Sequence, residues 1–93
     1  MNRLVLSATL VERGARRSTP AGVPVLELKL LHESDLSEDG QMRRVSMEIK
    51  ALAIGAITAP VGALALGTAA TFAGFLANAR NGRGVLFHIT SLS

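Results

Sequence analysis

ALAIGAITAPVGALALGTAATFAGFLANA, residues 51–79, runs for 29 residues without one charged side chain. It is either a membrane span or two strands of a barrel joined by a connector, and the choice decides the fold. A membrane helix needs roughly 17–25 mostly apolar residues in a row, so the length suffices. The content is poor: eleven of the 29 are alanine, and Pro60 stands among Gly55, Gly62, Gly67 and Gly74. Membrane helices tolerate Pro and Gly better than other helices do. The flanks, however, alternate like strands and do not resemble the borders of a span. The better division is a strand end at 47–54, a connector at 55–67 with one helical turn broken at Pro60, and a further strand from Thr68. Gly74 in that strand predicts a bulge or sharp bend.

Working outward, residues 3–11 alternate, with Leu4, Leu6, Ala8 and Leu10 on one face and Val5, Ser7, Thr9 and Val11 on the other. A loop rich in Gly, Pro and Arg follows. VPVLELKLLHES is the second strand, with Leu26, Leu28, Leu30 and His32 on one face. DLSEDGQ is a polar hairpin turn tipped by Asp39-Gly40. The third strand begins near Met42, with Val45, Met47 and Ile49 toward the core and Arg44, Ser46, Glu48 and Lys50 toward solvent. NARNGRG is a second hairpin centred on Asn81-Gly82, a two-residue turn signal, and VLFHITSL is the fifth strand.

Ninety-three residues make one domain, 1–93, with a thin core. Five strands with a longer connector between the third and fourth predict an all-β, five-stranded OB-fold Greek-key barrel, its connector short and helical or irregular. Another five-stranded meander or an SH3-like barrel is the alternative. The chain has no cysteine, which excludes disulfides and Cys-based zinc sites. Two histidines are too few for a His-rich metal site. No nucleophile with a base, no phosphate-binding Gly-Lys loop and no metal-ligand spacing is present, so neither enzyme activity nor a cofactor is expected. Net charge is +3, with eight arginines among ten basic residues, and this favours an anionic partner. MNRLVLSATL is too short and too polar for a secretory leader, and a cytoplasmic protein is expected.

NRLVLSATL, STPAGVPVLELKL and LGTAATFAGFL together resemble the single-stranded-DNA-binding OB-fold proteins of bacteria. The carriers are Asn2-Arg3, the turn Thr19-Pro20-Ala21-Gly22, and Gly67 with Gly74 and Leu76. LLHES and LFHITSL resemble most closely the primosomal branch of that family, as does an end at Ser93 without an acidic tail. The resemblance implies a homodimer that binds single-stranded DNA in replication restart and contacts the primosomal helicase and helicase-loader proteins. It also implies a subunit interface near Asn2, Arg3 and Val5. A module that docks those proteins while binding little DNA is the alternative.

Single-strand binders combine a basic groove with aromatic platforms. Phe72, Phe75 and Phe87 are the only aromatic rings besides histidine, and all three are expected in the core. Arginine must then dominate, through phosphate pairing and stacking. Arg80 and Arg83 belong to the last hairpin, and Arg13, Arg16 and Arg17 to the first loop. Both segments border the nucleic-acid groove of an OB-fold. Arg43, Arg44, Ser46 and Lys50 of the third strand complete the expected binding set. Glu33, Asp35, Glu38 and Asp39 make an acidic hairpin expected off the DNA path. His32 and His88 are expected as buried, hydrogen-bonded imidazoles.

Overall fold

The computed structural model describes residues 1–93. Alternating apolar side chains give β1 (Leu4–Arg13), β3 (Pro24–Glu38), β4 (Gln41–Ile54), β5 (Ala69–Asn78) and β6 (Val85–Leu92). A two-residue strand, β2 (Arg17–Ser18), joins the edge of β3. The sheet runs β1-β5-β6-β4-β3-β2, and an additional β1–β3 pairing closes it into a five-stranded barrel. One seam, between β4 and β6, is parallel and spans only Ala51↔Phe87 to Ala53↔Ile89. This is the OB-fold arrangement, with the helical connector between its third and fourth long strands.

Leu6, Ala8 and Leu10 of β1 and Leu26, Leu28 and Leu30 of β3 fill the barrel, Leu10 and Leu30 without solvent contact. Phe72 and Phe87 complete the centre as fully buried rings. The connector closes one end of the barrel. A 3-10 turn at Gly55–Ile57 runs into α1 (Thr58–Gly62), and buried Val61 packs against the core cluster. Pro60 does not break this turn as expected. It lies inside the first turn of α1, where a helix makes no use of the backbone N–H, and the helix continues to Gly62. No helix is long and apolar enough to cross a membrane.

Two bulges aim the outer face. Between β5 and β6 the pairing slips at Ala73 and Gly74, where Thr90 of β6 is the extra residue. A Cβ on Gly74 would lie 1.7 Å from the carbonyl oxygen of His88, so only glycine permits this approach. In β1 the register to β3 slips between Leu10 and Glu12. The extra residue reverses the inside-outside phase. Glu12 therefore stands outside, opposite Lys29.

The polar hairpin is longer than its sequence suggests. β3 and β4 stay paired through Glu38↔Gln41, and Asp39 and Gly40 turn the chain with positive φ angles of 51° and 76°. Seven pairs, from His32↔Met47 outward, have no other strand beside them. They form an arm about 23 Å long. Met47, expected inside, is exposed on this arm, and Val45 is only half-buried there, because no core lies beneath them. Ile49, two pairs closer to the barrel, does pack on the core. Ion pairs replace apolar packing on the arm. Arg43 pairs with Glu38, and Arg44 reaches Glu33 at 3.1 Å and Asp35 at 3.4 Å. His32 marks the root of the arm: its Nδ1–H donates to the Ser7 carbonyl at 2.6 Å, and the Ser34 hydroxyl donates to Nε2 at 2.9 Å. It is half-buried rather than buried.

The last hairpin is wider than a two-residue turn. Asn78 pairs with Val85, leaving a six-residue loop, 79–84. The Asn81 side chain accepts a hydrogen bond from the Arg83 N–H at 2.9 Å, and Gly82 and Gly84 both take positive φ. The Asn–Gly pair thus makes one turn within a loop instead of joining the strands directly.

Candidate nucleic-acid interface

Strand alternation places Val25, Glu27 and Lys29 of β3, Lys50, Leu52 and Ile54 of β4, and Leu86 and His88 of β6 on the outside of the barrel. Two concavities run across this face. The larger, of about 460 Å³, has an apolar floor that includes Val25, Leu52 and Leu86. Arg17 of β2 and Arg80 of the β5–β6 loop both line it, so the two basic segments flank one groove. The smaller, of about 320 Å³, holds Lys29 and Lys50 beside Glu12 and Glu27. Glu27 and Leu86 line both, so the two adjoin.

The ten cations differ sharply in freedom. Arg80, Arg83, Lys50 and Arg3 carry no acidic or backbone partner and are exposed. Arg17 pairs with Glu27 at 2.9 Å, and Lys29 with Glu12 at 3.5 Å. Both pairs are solvent-accessible, and such pairs are held by about 0–1 kcal/mol. Arg13 and Arg16 turn the other way. Arg13 donates to the Leu64 carbonyl and Arg16 to the Thr58 carbonyl at 3.3 Å, strapping the first loop to the connector. Arg43, Arg44 and Ser46 lie on the arm; Arg44 is six residues from Lys50, or about 20 Å along the strand. The structure therefore gathers Arg17, Arg80 and Lys50 along one path with Arg83 on the same loop, and keeps the others apart.

Two aromatic assignments change. Phe75 is 38 % exposed, not in the core. Phe72 and Phe75 are three residues apart in a strand of period two, so they face opposite sides. His88 is likewise outside, and the two rings stack with centroids 4.8 Å apart and an 11° interplanar angle. His88 also lines the larger groove. Lys29 is the groove cation missing from the expected set; its outward phase, shared with Glu27 and opposite the buried Leu28 and Leu30 of the same strand, was the available signal.

At the other side of the barrel, the Asn2 side chain donates to the Leu76 carbonyl at 2.6 Å and accepts from the Leu76 N–H at 3.0 Å. It thereby extends the β1–β5 ladder by one pair within the chain. Arg3 and Val5 are exposed, and before Thr9 β1 has no neighbour except β5.

A family model described as "Another single-strand binding protein family" matches residues 2–91. The replication restart protein PriB of Bordetella pertussis is 50 % identical over 80 residues, covering 86 % of this chain and 75 % of the relative. The solved structure of PriB from Ralstonia solanacearum is similar over 100 % of this chain and 96 % of its own, with TM-score 0.90 and 40 % identity. The single-stranded DNA binding protein from Thermus aquaticus gives TM-score 0.78 at 25 % identity, over 100 % of this chain and 49 % of that one.

Proposed function

Since the chain belongs to the PriB family of replication restart proteins, within the single-strand binding protein family, we propose that it binds single-stranded DNA in the primosome along the outer groove. The observation that carries this proposal is the convergence of Arg17 and Arg80 on one groove with an apolar floor. Phosphates pair with Arg17, Arg80, Arg83 and Lys50, while sugars and bases rest on Leu52, Leu86 and the Phe75–His88 stack. Backbone contacts of this kind carry no sequence preference. The role is one of binding, without catalysis, and is placed in the cytoplasm.

Fluorescence anisotropy with a labelled oligo-dT across a salt series tests this. The log–log slope should be about −0.7 per phosphate neutralised. Substituting Arg17→Gln and Arg80→Gln together should weaken binding at low salt about a hundredfold, at about 1.5 kcal/mol per charged contact. A flat salt series, or unchanged affinity in the double variant, would refute the groove.

A homodimer goes with this function: the unpaired edge of β1 beside exposed Arg3 and Val5 is open to a second copy. Size-exclusion chromatography with light scattering reads the oligomeric state directly, and a monomeric mass would remove this assignment. Contacts with the primosomal helicase and helicase loader belong to the same proposal. One observation favours the second reading, a docking module with little DNA binding: six of the ten cations already have acidic or backbone partners. Helicase retained by the chain after nuclease treatment, with no oligo-dT binding, would select that reading.

A further inference from the structure

Lys29 and Lys50 stand directly opposite each other across β3 and β4. Like charges in that relation destabilise a strand pair. Both side chains line the smaller concavity together with two carboxylates, Glu12 and Glu27, of which Glu27 is engaged by Arg17 at 2.9 Å. The Glu12 carboxylate reaches Lys29 at 3.5 Å, and no carboxylate reaches Lys50. The bulge in β1 is what delivers Glu12 to this face, since the inward phase of Leu6, Ala8 and Leu10 would otherwise have buried it. The concavity therefore presents two cations, Glu27 already held by Arg17, and one removable anion, Glu12; it adjoins the groove of Arg17 and Arg80, with which it shares Glu27 and Leu86.

We propose that Lys29 and Lys50 form a phosphate subsite that continues the DNA path beyond Arg17, and that Glu12 occupies it as an internal stand-in until a phosphate displaces its carboxylate. This rests on the DNA-binding function proposed above. The exchange is favoured because a phosphate bridging the pair gains both cations, whereas Glu12 reaches one. The Glu12 side chain is 69 % exposed, so it returns to water when it leaves.

The test is oligo-dT anisotropy on the full chain over a salt series, with K29Q, K50Q, E12Q, E12Q/K29Q and D39N. K29Q and K50Q should each weaken binding and make the salt slope shallower by about 0.7. E12Q should tighten binding about twofold to fivefold, the scale of an exposed ion pair. That gain should vanish in E12Q/K29Q. D39N removes the same charge at the tip of the arm and should change affinity less than twofold. Unchanged slopes in K29Q and K50Q overturn the subsite, and binding still lost in the Arg17–Arg80 double variant would leave the main groove standing. An equal gain from D39N overturns the role of Glu12 in favour of net charge. Failure of the unaltered chain to bind overturns both proposals.

Discussion

A single methyl group on residue 74 should cost this barrel about 3–5 kcal/mol, the upper range for overpacking a site that cannot relax. A Cβ there would meet the His88 carbonyl oxygen at 1.7 Å, its carbon at 2.8 Å and the Ile89 Cα at 3.1 Å. All three are backbone atoms, so no rotamer change relieves the clash. β5 must separate from β6 around the bulge, and each backbone hydrogen bond lost there costs about 0.5–1.5 kcal/mol. Urea unfolding followed by far-UV circular dichroism reads the effect. With a urea slope of about 1–1.5 kcal/mol/M for a domain this small, the midpoint of Gly74→Ala should fall by about 2–5 M. Gly62→Ala is the control. Its nearest neighbours would be 3.7 Å away and its φ is not positive. At the end of α1 it should be neutral or stabilise by up to about 1 kcal/mol. Equal midpoints for Gly74→Ala and the parent would refute the account of the bulge.

Asn2→Ala removes two hydrogen bonds to Leu76, and should lower stability by about 1–2 kcal/mol in the same urea experiment. Phe75→Ala should weaken oligo-dT binding about tenfold while leaving the salt slope unchanged, because stacking releases no counterions. Arg43→Gln with Arg44→Gln should change DNA affinity less than twofold by anisotropy, since both cations are already paired on the arm and stand away from the groove.

Most of the barrel is legible in the sequence because its strands alternate. β6 matches the stretch VLFHITSL, and the Asp39-Gly40 tip stands where the pattern puts it; the irregularity expected at Gly74 is there too, with its extra residue, Thr90, on the facing strand β6. The misses have physical causes. Residues 35–38 and Gln41 lack apolar alternation, so they read as a turn; cross-strand ion pairs hold this end of the hairpin as strand instead. β2 is too short to leave a periodic signal. For the groove, sequence position identifies the loops that carry Arg17 and Arg80 but not which way each guanidinium turns. Arg13 and Arg16, close neighbours of Arg17, spend their donors on connector carbonyls that are distant in sequence. The bulge that turns Glu12 outward to Lys29 depends on how β1 meets β3, and that register is written in no local motif.

The three-residue parallel seam between β4 and β6 has a consequence for how the chain matures. Until residues 87–89 leave the ribosome, the remaining strands can assemble only as an open sheet in the order β5-β1-β3-β4. Its outer strands are then both unzipped, and Phe72 lacks the ring of Phe87 on the far side. The cuff fastens last and through its smallest clasp, so the amide hydrogens donated across this seam should be the first within the cylinder wall to exchange when the ring breathes.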